Sequence, residues 1–419
     1  MNFDAAIAAL TLTNEQLIET RDQLADNIYK GLAQTGQQIK SLPAFLRKPK
    51  RDLAGEVFIL DAGGTNVRAA RIRLTADSAE FIKGPIADKT LMFDAQVPGA
   101  VSTDDFFGRQ ASLLGQLNPP DEFTLGYCFS YPSENKPDGD ASLINWTKNI
   151  NVEGVIGHSA RGLLTTALAK QNHIAHKTPV LNDTVTALIA GAWMSPDCDQ
   201  YIGLIAGTGM NAAGFFRSKQ ITKLTPDVAA QWAPEELMAV NLELGNFHPA
   251  CLSVFDDELD ADNPNDSPGK QRLEKAVSGR YLANVYGRIV GRQACMALPD
   301  GLDFDPQDSE NTHAGHVTQM RRYQGPMALV AIALINRSAD LVAAALAGVI
   351  KAQELPSDKA QIIGILPEGS LFWLTHGYGQ RVEETLNRLI PDNIAVRIMQ
   401  NDTGVDANFI GAACAALSM

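Results

Sequence analysis

A chain of 419 residues, 45% hydrophobic and 20% charged, holds apolar material for more than one core and lacks the composition of a disordered or fibrous protein. Its formal net charge of -13 argues against a nucleic-acid binder, because phosphate backbones are held by clustered Lys and Arg. Any phosphate site must then be local, built from backbone N–H groups, a metal ion and a few cations.

In chain order, residues 1 to 40 carry Leu17, Leu24, Ile28 and Leu32 at helical intervals on one face. The start has acidic Asp4 and Glu15 and no basic segment before its short apolar run, so no signal peptide is expected. From Gly55 to Leu74 the period is that of strands, with Gly63-Gly64 between them. Phe123 to Phe129 reads as a strand and Arg161 to Gln171 as a helix. "TPVLNDTVTALIAGAW" is a short strand to Leu181 and then a helix from about Val185 to Trp193. "YIGLIAGTGMNAAGFF" is a second strand, Gly-rich turn and strand. Residues 256 to 271 read as an acidic loop, solvated over 256 to 266 where the Gly and spaced ligands of a calcium-binding loop are lacking, ahead of a long helix from about Arg272 to Met296. A helix follows Gly325-Pro326, and small residues form a last helix near Ala407 to Leu417.

The longest apolar run, Met327 to Ile335, is far shorter than the roughly 20 residues that span a bilayer, and is expected to be a buried helix. Five scattered cysteines with no paired spacing read as reduced thiols. A cytoplasmic protein with no membrane or nucleic-acid partner is the resulting expectation.

"FILDAGGTNVRAARI" poses the first chemical question. Walker-type and dinucleotide loops lead from a strand into a helix. Here Ala70, Ile72 and Leu74 alternate after the turn, so a strand follows and both motifs are excluded. Two readings remain: a plain hairpin, or a hairpin whose bend points N–H groups at phosphate while Asp61 holds a hydrated magnesium. "AGTGMN" is a similar turn in a similar strand context, and two such loops facing each other can clamp a polyphosphate.

The other candidates also read two ways. In "LNDTV", Asp183 or Thr184 is either a helix N-cap or, for Asp183, a carboxylate at a strand end that takes a proton from an alcohol, with Asn182 beside it. Ser130 in "FSYPS" is a turn residue with no nucleophile frame around it. Thr147 and Lys148 place a hydroxyl beside a cation. Glu243 and Glu274 are exposed acids, or for Glu274 a charge favoured in a helix's first turn, or, together, acceptors for a polyhydroxylated sugar.

Taken together and in order, "SLPAFLR", "LDAGGTNVR", "FSYP", "WTKNI", "LNDTV", "GTGMNA", "NLELGNF", "FDDELD", "PGKQRLEKAVSGRYL" and "PEGSLF" resemble the eukaryotic-type hexokinase and glucokinase family. The resemblance implies an α/β fold, the two-domain actin-like ATPase (ribonuclease H-like) architecture with a hinged cleft. It puts residues 57–181 plus about 403–419 in a small domain and 1–56 plus 182–402 in a large one. It implies phosphorylation of the 6-hydroxyl of glucose or a related hexose by Mg-ATP, in a monomer or homodimer.

By the same resemblance, Asp183 is the general base, with Lys148 near the transferring phosphoryl group. Ser130, Thr147, Lys148, Asn182, Asp183, Asn211, Glu243 and Glu274 form the hexose shell. Asp61, Gly63, Gly64, Thr65, Asn66 and Arg68 form one phosphate loop, with Asp61 holding magnesium through water, and Gly207, Thr208 and Gly209 form the other. Gly369 and Ser370 belong to the nucleotide side. The chain departs from the family pattern at Ala62, where a larger apolar residue is usual, and at "NDTGVDANFIG", where a Gly-Ser-Gly-Lys-Gly-like stretch is usual. That second departure keeps open an alternative: a non-catalytic hexose sensor that has lost nucleotide use.

Overall fold

The computed structural model describes residues 2–64, 66–147, 150–262, 268–298, 301–308 and 313–419. Two helices open the chain, Phe3–Leu10 and Asn14–Ala33. The second begins on a capping box between Thr13 and Gln16 and buries Leu17, Leu24, Ile28 and Leu32. A short strand, β1 (Leu42–Pro43), follows.

The first sheet starts with an antiparallel meander, β2 (Gly55–Ala62), β3 (Val67–Leu74) and β4 (Ala79–Asp88). β5 (Glu122–Phe129) then runs parallel to β2 on its other side. A small hairpin, β6 (Ser133–Asn135) and β7 (Ala141–Leu143), precedes β8 (Ile174–His176) and β9 (Val180–Leu181), both parallel to β5.

The second sheet repeats the plan. β10 (Gln200–Ala206), β11 (Met210–Arg217) and β12 (Leu237–Asn241) form the meander. β13 (Gln361–Glu368) and β14 (Ile394–Ile398) extend it in parallel, giving the order β1-β12-β11-β10-β13-β14. Both sheets therefore carry a Gly-rich hairpin between their first two strands, and the two halves anticipated from those turns share a topology.

A helix follows the last strand of each half, Asp183–Met194 and Ala407–Ser418, and the two cross between the sheets. They approach so closely that a Cβ at Gly411 would lie 2.0 Å from the Thr186 carbonyl oxygen. Val57, Ile59 and Ile72 of the first sheet, Leu188 and Phe409 of the helices, and Phe215 of the second sheet share this central core. Separate cores lie on the outer face of each sheet, the second built around the helix Pro326–Ala352. That helix is long and apolar enough to cross a membrane by length and composition, yet 78% of its apolar window is buried within the fold.

Three expectations need correction. The acidic stretch from 256 is not a solvated loop at its start, because Val254–Asp262 is a helix. Its Asp256 and Asp260, one turn apart, face buried cations: Asp256 pairs with Arg337 at 2.5 Å, and Asp260 with Arg272 and Lys275 at 2.8 Å each. The long helix predicted from Arg272 to Met296 is broken into Arg272–Val277, Leu282–Val290 and Arg292–Cys295. The first break lets the Gly279 N–H donate to the Gly207 carbonyl at 2.7 Å. Finally, the cap of the helix Asp183–Met194 is neither Asp183 nor Thr184 but Asn182, whose side-chain oxygen accepts the Thr184 N–H at 3.0 Å.

Candidate active site

The first hairpin closes through the Gly63 N–H, which donates to Asn66 O at 3.1 Å. Asp61 and Arg68 stand opposite each other in register on β2 and β3, so the pair forms across the strands, Arg68 Nη2 to Asp61 Oδ2 at 2.6 Å. Asp61 is buried, and its Oδ1 has no hydrogen-bond partner among the described residues. A buried carboxylate oxygen left open beside a glycine turn fits a hydrated divalent cation. Arg68 also reaches Asp406 Oδ2 with Nη1 at 3.0 Å and lies over the Phe409 ring.

Next to this hairpin, β5 delivers Cys128, Ser130 and Tyr131. The Ser130 N–H donates to Ala62 O, and Tyr131 Oη donates to Gly63 O at 2.8 Å. Burial pushes the Cys128 thiol and the Tyr131 phenol well up, and the charges of Asp61 and Asp183 add to both shifts. One buried neighbourhood therefore lies within range of both carboxylates.

Asp183 is the first residue of its helix and half-buried, so its side chain stands at the N-terminal end of the helix. Thr186, one turn on, donates its hydroxyl to Asp183 O at 2.6 Å, and the hydroxyl also lies 2.8 Å from Asn408 Oδ1. Asn408 Nδ2 points back to Asp61 Oδ2 at 3.5 Å. The helix crossing thus links the Asp183 turn to the first glycine hairpin.

A second cluster gathers at the start of β11. Asn211 Nδ2 donates to Asn241 Oδ1 at 2.9 Å, and Asn241 Nδ2 donates to Glu243 Oε1 at 2.8 Å. Glu243 is buried and sits in the left-handed region at φ 59°. Such a backbone persists at a non-glycine residue only where its surroundings fix it. Glu274 Oε2 accepts the Met210 N–H at 3.0 Å.

The second glycine turn is held from two sides. The Gly207 N–H donates to Gly209 O, while the Gly207 and Thr208 carbonyls accept the Gly279 and Arg280 N–H groups. Gly369 abuts the same turn at φ 117°, where a Cβ would sit 2.5 Å from Ala206 O. Thr208 and Ser370 are exposed. Thr147 is half-buried in a loop anchored by Trp146, whose ring packs edge-on to Tyr131 at 4.8 Å. The predicted Thr65 and Lys148 lie outside the described residues.

The structure therefore groups Asp61, Asn66, Arg68, Ser130 and Asp183 on one side, and Asn211, Glu243, Glu274 and the turn 207–209 on the other. Sequence reasoning missed Asp406, Asn408, Thr186 and Asn241. Asn241 opens the "NLELGNF" motif and Asp406 and Asn408 lie in "NDTGVDAN", so both segments had been singled out without these side chains.

One hexokinase family model matches residues 2–193, and a second matches 201–314 and 316–418. The chain belongs to the hexokinase family. Hexokinase-7 of Oryza sativa subsp. japonica is 27% identical over 438 residues, covering 93% of this chain and 92% of its own. Hexokinase-2 of Arabidopsis thaliana is 26% identical over 445 residues, covering 95% and 86%. The solved hexokinase from Schistosoma mansoni complexed with glucose shares the fold, with a TM-score of 0.81 at 24% identity, covering 100% of this chain and 99% of that one. As a hexokinase family member of actin-like ATPase fold, the chain is a hexose phosphotransferase.

Proposed function

We propose that this hexokinase transfers the γ-phosphoryl group of ATP to the 6-hydroxyl of glucose or a related hexose, with Asp183 as general base. The observation that carries the reading is the link from the Asp183 turn through Thr186 and Asn408 to Asp61, which couples a half-buried carboxylate to the first glycine hairpin. Relatives named hexokinases along most of their length, one solved with glucose, support the hexose as acceptor.

The hexose would bind among Ser130, Thr147, Asn182, Asn211, Glu243 and Glu274, each offering an acceptor or donor to a sugar hydroxyl. Asp183 takes the proton of the 6-hydroxyl as that oxygen bonds to the γ-phosphorus. The bond from phosphorus to the bridging oxygen breaks, and ADP leaves with the electron pair. Backbone N–H groups of the turns 63–66 and 207–209 orient the phosphates. A divalent cation, magnesium in this proposal, held through water by Asp61, would neutralise phosphate charge. Lys148 beside the transferring group completes the proposal, as do the domain boundaries implied by the resemblance and a cytoplasmic location.

Family membership weighs against the non-catalytic alternative. Sugar-dependent ADP release over a hexose panel with Mg-ATP tests the reading; absence of turnover with every hexose would overturn it.

A further inference from the structure

Asp406 is tied to residues beside both glycine turns. On one side it pairs with Arg68, which is itself paired with Asp61 next to the turn 63–66. On the other, Glu368 ends β13 immediately before Gly369, which packs against Gly207. Burial and then the Asp406 charge push the Glu368 carboxyl up to about 7, with Arg68 pulling it back, so Glu368 lies within electrostatic range of that pair. In this group of charges three carboxyl groups, those of Asp61, Glu368 and Asp406, share one guanidinium, that of Arg68. Among the described residues, Arg68 is the only cation hydrogen-bonded to Asp61 or Asp406.

Asp406 does not serve its own helix through its side chain. It is the residue before Ala407–Ser418, but the side chain makes no capping hydrogen bond. Its side chain is 47% exposed, and among the described residues its hydrogen-bond partner is Arg68.

We propose that Asp406 sets the affinity for the phosphoryl donor by occupying Arg68 in the free chain, so that an incoming polyphosphate gains this guanidinium only by displacing a carboxylate. Arg68 keeps its Asp61 bond throughout, which holds the guanidinium in place, and the Nη1 edge is the part exchanged. This rests on the phosphoryl-transfer reading, and it makes Asp406 a positioning residue that acts through Arg68.

Calorimetric titration of the whole chain with Mg-ATP, and separately with glucose, tests it without requiring turnover. Asp406→Asn should tighten Mg-ATP binding by about 1.5- to fivefold, the range of a partly exposed ion pair, and leave glucose binding unchanged. Asp406→Glu, which restores the carboxylate, should return the affinity to that of the unsubstituted chain. Unchanged or weaker Mg-ATP binding in Asp406→Asn overturns the proposal, weaker binding meaning that Asp406 helps to hold the cation–nucleotide complex. If neither form binds Mg-ATP measurably the proposal also falls, since freeing Arg68 must raise affinity. Tighter binding in Asp406→Asn without phosphoryl transfer to any hexose would sustain the Arg68 exchange while removing the proposed activity.

Discussion

Glu274 Oε2 accepts the backbone N–H of Met210 at 3.0 Å, so a residue expected to face the sugar also braces the second glycine turn. A Cβ at Gly209 would lie 2.9 Å from the same oxygen, which shows how closely the carboxylate fits the turn. Glu274→Ala should raise KM for both hexose and Mg-ATP, each by about tenfold, the scale of one lost hydrogen bond to a charged group. Glu274→Gln keeps an acceptor and should spare the ATP KM. Steady-state kinetics with each substrate varied in turn distinguishes this from a purely sugar-binding role, which would leave the ATP KM alone in both variants.

Asp183→Asn keeps the shape of the helix start and the Asn182 cap while removing the base. Hexose binding, measured by calorimetry, should remain within a few-fold of the original, and kcat should fall by about 10²–10⁴. A kcat unchanged by the substitution would remove Asp183 from the role.

The Arg337–Asp256 pair is buried, with Arg337 donating to both carboxylate oxygens at 2.5 and 2.8 Å. Removing one partner strands the other, so Asp256→Ala should cost about 3–5 kcal/mol in urea unfolding. Burial raises the Asp256 pKa, but the Arg337 charge and hydrogen bonds more than offset this, leaving it below its ordinary value. The stabilisation is therefore present above the unfolded Asp pKa of about 4 and lost as pH falls through the lower folded value. Arg337→Met should flatten this part of the acid limb.

Glu368 shows the opposite sign. With its carboxyl at about 7, the folded chain retains a proton that the unfolded chain releases near the ordinary Glu value of about 4.3. Stability from this group is present below that value and declines as pH rises towards about 7. Glu368→Gln should reduce the fall in denaturation midpoint between pH 5.5 and 8; an unaltered profile would place Glu368 in an ordinary solvated setting.

Gly411 tests the helix crossing. A methyl group there meets the Thr186 carbonyl, so Gly411→Ala must move one helix, at a cost of about 1–3 kcal/mol. Because Thr186 and Asn408 join Asp183 to Asp61 across that crossing, kcat should fall further than thermal stability alone explains. Assay well below the shifted melting temperature separates the two effects.

Much of the fold was legible locally. Alternation after Asn66 gave a strand rather than a helix, and the structure has β3 there. The two glycine turns suggested related halves, and both sheets carry the same meander with parallel extension. The acidic stretch at 256 failed because local polarity was taken for exposure: Asp256 is buried by Arg337, 81 residues away. The helix predicted through Ser278-Gly279 failed for a similar reason, since the break is fixed by contact with Gly207 rather than by its immediate neighbours.

What the sequence determined by itself was the set of strand, turn and helix segments and the family motifs, because periodicity, glycine turns and capping depend on residues a few places apart. Only the tertiary structure decided that Arg68 answers to Asp406, 338 positions away, that Thr186 and Asn408 bridge Asp183 to Asp61, and that Glu274 braces Met210. Ion pairs and hydrogen bonds depend on distance through space, and that distance is set by how the two sheets and their crossing helices pack.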